Sequence, residues 1–99
     1  MKPFRIVPAA EAEALSSSDF YDREQPGLGL KFDHALEEAI NRARAQPTLF
    51  RVFHRGGLRK CQLQRFPYAV IFRDHPSYIE IIAVMHGRRR PGYWTGRIE

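Results

Sequence analysis

The chain has 99 residues, 43% of them hydrophobic, with seven Phe, four Tyr and one Trp, which is apolar material for one small core and too much for a disordered segment. The net charge of +5 is unevenly spread: residues 1–50 carry six Lys/Arg against eight Asp/Glu, whereas residues 51–99 carry ten against three. That surplus points the second half toward a polyanionic or acidic partner. The lone Cys61 excludes an internal disulfide, and no apolar run approaches the roughly 18 residues of a membrane span, so one domain over residues 1–99 in a reducing, cytoplasmic setting is expected.

Phe4-Arg5-Ile6-Val7 alternates as a short first strand, ended by Pro8. A proline suits the first turn of a helix, where its missing N–H is not needed. Ala9 to about Gln25 is the first predicted helix, rich in Ala and Glu. Ser16-Ser17-Ser18 weakens its middle, because short hydroxyl side chains compete for backbone hydrogen bonds. Leu15, Phe20 and Ala12 are expected to face the core, and Pro26-Gly27 closes the element. Leu28 to about Ala45 is the strongest helical pattern. Phe32, Ala35, Leu36, Ala39, Ile40 and Ala43 make one apolar stripe, with Asp33, Glu37, Glu38, Arg42 and Arg44 along the other side. The link between the two helices is short, which predicts an antiparallel hairpin.

After Pro47 the period changes. Phe50–His54 reads as a strand, Gly56-Gly57 as a turn, and Leu58–Gln64 as a strand with Cys61 and Leu63 on one face. Tyr68–Phe72 and Tyr78–Met85 are nearly continuously apolar, as strands buried on both faces would be. Turns this short imply an antiparallel meander. The predicted fold class is α+β: a short N-terminal strand and an antiparallel helix hairpin packed on one face of an antiparallel β-sheet.

Several chemistries find no support in the spacing. His34, His54, His75 and His86 are scattered, so no metal site and no cofactor are expected. Cys61 alternates with Leu63 and reads as a small core residue. Gly27-Leu28-Gly29 and Gly56-Gly57 lack the strand–loop–helix context of a phosphate loop. What remains is a cluster of Arg59, Lys60, Arg65, His86, Arg88, Arg89, Arg90, Tyr93 and Trp94. Arginines stabilise phosphate charge, a histidine exchanges protons near neutral pH, and aromatic rings stack on bases. The same groups also have plain structural readings. His86 suits a hydrogen-bonded strand end, the arginines a solvated loop, Arg65 an ion pair, and Tyr93 with Trp94 a cover for the core edge.

Pro26-Gly27-Leu28-Gly29, Phe32 with the Ala35–Ala39 helix, and Pro47 are followed by Arg65-Phe66-Pro67-Tyr68 and the apolar Ala69–Phe72. Then come Ala83-Val84-Met85-His86 and Arg89-Arg90-Pro91-Gly92-Tyr93-Trp94. In this order the chain resembles the RelE/ParE superfamily of bacterial toxins from type II toxin–antitoxin (plasmid-stabilisation) modules. The resemblance covers nearly the whole chain. It implies a small α+β toxin neutralised by an antitoxin encoded beside it. ParE-like members inhibit DNA gyrase; RelE-like members cut mRNA on the ribosome without metal. On the nuclease alternative the resemblance points to Arg65, His86, Arg88, Arg89 and Tyr93 as the catalytic set. Arg59, Lys60, Arg90 and Trp94 would then contact nucleic acid or the target. The Phe-Pro-Tyr corner and the Pro-Gly-Tyr-Trp ending look more ParE-like. A nucleic-acid-binding module without toxicity is the third expectation.

Overall fold

The computed structural model describes residues 1–98 of the chain. The elements run β1 (Phe4–Ile6), α1 (Pro8–Glu24), α2 (Leu28–Ala45), a 3-10 turn (Pro47–Leu49), β2 (Val52–His54), β3 (Leu58–Gln62), β4 (Tyr68–Asp74), β5 (Ile79–His86) and a last 3-10 turn (Thr95–Arg97). The five strands form one sheet in the order β1-β5-β4-β3-β2. The meander β2–β3–β4–β5 is antiparallel, as its short turns predict. The first strand adds a parallel edge to β5, pairing Phe4 with Ile79 and Ile6 with Ile81, so the sheet is mixed.

The hairpin closes on a tight helix crossing. Gly27 reverses the chain at φ +92°, a conformation that glycine adopts without a Cβ clash. From α1, Asp22 Oδ1 accepts the N–H groups of Gly27 at 2.9 Å and Gly29 at 3.3 Å. It thereby satisfies donors that the first turn of α2 leaves free. A Cβ on Gly29 would lie 2.7 Å from the Ser18 carbonyl oxygen, so only glycine lets the helices approach this closely.

The stripe on α2 is buried as expected. Phe32, Leu36, Ala39, Ile40 and Ala43 pack on Cys61, Leu63, Tyr68, Val70, Phe72, Ile79, Ile81 and Val84 of the sheet. The phase of α1 differs from expectation. Leu15 and Phe20 are exposed, at 63% and 49%, and Ala12 is exposed too; Ala10, Ala14 and Tyr21 face the core instead. A helix with small and polar residues on every side leaves its rotation to whatever it packs against. Here the ring of Tyr21 sets it, 5.5 Å from Phe32, 5.0 Å from Phe66 and 6.1 Å from Tyr68.

The sheet is also covered on its second face. Leu58, Ile71, Ile82 and Ala83 pack under Trp94, with Ile98 against the same cluster. This explains why β4 and β5 are apolar along their length rather than alternating: the helices cover one side and the chain after β5 covers the other.

Candidate functional site

The site follows from an irregularity in β5. Ile81 pairs with Phe72 and Ala83 with Ile71, so Ile82 is an extra residue opposite the pair Ile71/Phe72. A bulge of one residue switches the faces of everything after it. Before it, Ile79 and Ile81 face the helices; after it, Val84 does. His86 follows Val84 by two and pairs with Tyr68, its ring edge-on to the tyrosine at 5.0 Å between centroids. The bulge thus turns His86 toward α1.

There, between α1 and the end of β5, is an open cleft of about 300 Å³, bounded by Glu13, Ser16, Ser17, His86, Arg89 and Tyr93 among others. The N–H of Arg88 donates to His86 Nδ1 at 2.9 Å. The neutral ring therefore carries its proton on Nε2, and its acceptor lone pair is already used. Arg89 lays its guanidinium over the Tyr93 ring, 3.9 Å from the centroid. Among the described residues no side-chain hydrogen bond or ion pair engages the guanidinium of Arg88, Arg89 or Arg90, all three of which are exposed.

One wall of the cleft is a carboxylate that the sheet itself requires. The last bond from the first strand's side is Val7 N–H to the Ile81 carbonyl at 3.0 Å. Beyond it the outer edge of β5 is finished by side chains. The Val84 N–H donates to Glu13 Oε1 at 3.0 Å, and Arg97 Nη1 donates to the Ile82 carbonyl at 3.0 Å. Arg97 and Glu13 pair through both arms, at 2.8 and 3.1 Å, and the Tyr93 hydroxyl donates to Glu13 Oε2 at 2.6 Å. Burial raises the Tyr93 phenol far above its ordinary range, and the bond to the Glu13 carboxylate raises it further; the neighbouring Arg97 and Arg89 only partly oppose this.

The expected site residues divide into separate places. His86, Arg89 and Tyr93 share the cleft, with Arg88 and Arg90 on the turn beside it. Arg65 lines a different groove, with Tyr21, Leu28, Ala35, Phe66 and Pro67, between α2 and the β3–β4 corner. It is the only non-glycine residue with positive φ among those described, at +71°. Arg59 donates to the Phe50 carbonyl at 2.6 Å and has its Nε buried, so it ties β3 to the segment before β2. Lys60 is exposed, 5.6 Å from the centroid of the Phe53 ring. Trp94 is 2% exposed and packs edge-on to His54 at 4.9 Å; a ring so enclosed has no face to offer a base, which corrects the stacking role expected for it. Cys61 is fully buried, its thiol pushed up by burial, as a core residue. Glu13, Ser16, Ser17 and Arg97 are not among the site residues expected from the sequence. Glu13, Ser16 and Ser17 fall at i, i+3 and i+4, one polar face on a helix, and that spacing was the available signal.

The family model described as the ParE toxin of the type II toxin–antitoxin system parDE matches residues 4–91. The chain belongs to the ParE toxin family. The matched span takes in Arg65, His86 and the three arginines, and stops before Tyr93, Trp94 and Arg97. A solved structure titled "Chromosomal ParDE TA system from P. aeruginosa" shares the fold, with a TM-score of 0.75 and 21% identity over 87% of this chain and 96% of that one. No curated protein matches this ParE-family chain in sequence. Among the described residues no helix is long and apolar enough to cross a membrane, and no three His, Cys, Asp or Glu side chains group as a metal site would require.

Proposed function

We propose that this chain, as one domain over residues 1–99, is the growth-inhibiting toxin of a type II toxin–antitoxin pair. In this reading it acts in the cytoplasm on DNA gyrase by binding, in the ParE manner, rather than by cutting RNA. Family membership supports the toxin role. The observation that carries the choice of mechanism is that the imidazole and carboxylate acceptors at the cleft, the groups that would serve as base, are already engaged. Cleavage by a ribose 2′-OH needs a group to take its proton and another to protonate the leaving oxygen. His86 Nδ1 is occupied by the Arg88 N–H. The Tyr93 hydroxyl is held by Glu13, and the Glu13 carboxylate already accepts from Tyr93, Val84 and Arg97. The unengaged cations, Arg88 to Arg90, suit contact with a target rather than proton transfer.

The antitoxin seat we propose is the apolar groove of about 710 Å³ under α2, walled by Tyr21, Leu28, Ala35, Phe66 and Pro67 with Arg65 and Lys31 at its rim. An amphipathic segment that folds on binding would bury these rings and pair acids with the two cations.

Induced expression in growing cells tests the mechanism. Filamentation and DNA damage with continued protein synthesis are expected, and His86→Gln, which keeps a donor but cannot serve as a base, should inhibit growth as the parent does. Arrest of translation within minutes, abolished by that substitution, would establish the nuclease reading in its place.

A further inference from the structure

We infer that the α1–β5 cleft is a phosphate subsite that holds one backbone phosphate of nucleic acid without cleaving it. The inference deepens the target-contact reading above and rests on it for biological context, but its evidence is local. Four residues with groups able to donate line the cleft: Ser16 and Ser17 with their hydroxyls, His86 with its Nε2–H and Arg89 with its guanidinium. The two that matter most are pre-set. The Arg88 N–H fixes the histidine tautomer so that Nε2 is a donor, and stacking on Tyr93 holds the Arg89 fork in place. Glu13, the one acid in the cleft, does not repel an incoming anion with its full charge, because Arg97 pairs with both of its oxygens.

The neighbourhood favours a polymer over a lone anion. Arg88 and Arg90 flank Arg89 on the same exposed turn, placed to meet adjacent phosphates along a strand. No base-stacking platform accompanies them, since Tyr93 is covered by Arg89 and Trp94 is buried. The contact is therefore with the backbone and independent of sequence. Duplex DNA and single-stranded RNA share that chemistry; pairing with an intact duplex needs no unstacked base, so duplex DNA is the expected ligand.

The test is fluorescence anisotropy of a labelled 20-base-pair duplex with the full chain over a series of salt concentrations. Arg89→Gln should weaken binding about tenfold and lower the slope of log affinity against log salt by about one. Ser16→Asp, which sets a carboxylate on the exposed cleft wall, should also weaken it about tenfold. Leu30→Asp makes the same charge change on an exposed position of α2 outside the cleft, and should change affinity less than about twofold. Equal losses for Ser16→Asp and Leu30→Asp would mean diffuse attraction and no subsite. So would no loss for either cleft variant. Competition by poly-glutamate as effective as by unlabelled duplex, with the same dependence on Arg89, would assign the cleft to an acidic peptide and overturn the proposal. A labelled single-stranded RNA bound in preference to the duplex would transfer the subsite to RNA and refute the duplex expectation; cutting of either strand would refute binding without cleavage. Every component is purified and no cells are involved, so these results are independent of the growth phenotype. A chain that filaments cells yet binds duplex indifferently to Arg89 fails this inference alone, and one that binds through Arg89 yet leaves growth unchanged fails the toxin reading alone.

Discussion

Replacing Glu13 by alanine should be among the most damaging single changes outside the apolar core. The carboxylate serves three partners at once: the Val84 N–H, the Tyr93 hydroxyl and both arms of Arg97. The Glu13 and Arg97 side chains are 15% and 21% exposed, so water can replace only part of what is removed. Breaking a buried ion pair by removing one member costs about 3–5 kcal/mol. Partial solvation lowers that, and a loss of about 2–4 kcal/mol is expected for Glu13→Ala. For a chain of this size each kcal/mol lowers Tm by about 4–8 °C, so the midpoint should fall by roughly 8–32 °C. Glu13→Gln keeps an oxygen for Val84 and an amide for Tyr93 but gives up the charge, and should lose only about 1–2 kcal/mol. Urea unfolding of the purified chain, followed by far-UV circular dichroism, measures both. A loss under about 0.5 kcal/mol for Glu13→Ala would place the pair among surface ion pairs of no net worth and refute the claim that it finishes the sheet edge. Equal losses for Ala and Gln would mean that the charge alone matters and would refute the share expected from the hydrogen bonds that Gln retains.

Two further outcomes follow from local geometry. Gly29→Ala should destabilise the chain by about 1–3 kcal/mol, despite alanine's better helix propensity, because its Cβ would press on the Ser18 carbonyl oxygen; a gain in stability by chemical denaturation would show that the helices separate freely there. The raised phenol of Tyr93 means that, above the ordinary tyrosine pKa of about 10, the folded chain holds a proton that the unfolded chain gives up. Stability therefore falls as pH rises through that range, and Tyr93→Phe should show a shallower loss between about pH 10 and 11.5 in parallel denaturation series; parallel slopes would contradict the buried bond to Glu13.

Much of the architecture was legible because it rests on long, strongly periodic segments. The α2 stripe and the two apolar strands each carry their own pattern, and the short turns leave the meander few alternatives. What could not be read was decided between segments. Three residues of β1 are too few to reveal a parallel partner more than seventy positions away. Phe20 reads as core in a helical wheel, yet Tyr21 takes that place because Phe32, Phe66 and Tyr68 offer it three edges. In the site, the cationic run and His86 were visible as composition, and their grouping into one cleft with α1 was not. Arg59 and Trp94 resembled binding groups by type and turned out to hold structure, one through the Phe50 carbonyl and the other through burial under the sheet.

The extra residue in β5 has a consequence for how this chain is set beside others of its fold. Every position after Ile81 is displaced by one relative to a strand that alternates without interruption. A chain lacking the insertion would present at its equivalent of Met85 the group that this chain presents at His86. Removing Ile82 would accordingly restore plain alternation and leave His86 opposite Tyr68 under α1, one position nearer the start of the strand. Functional equivalence along the last strand is thus counted from the bulge, not from the start of the strand, and a gapless alignment through it would transfer roles to the wrong side of the sheet.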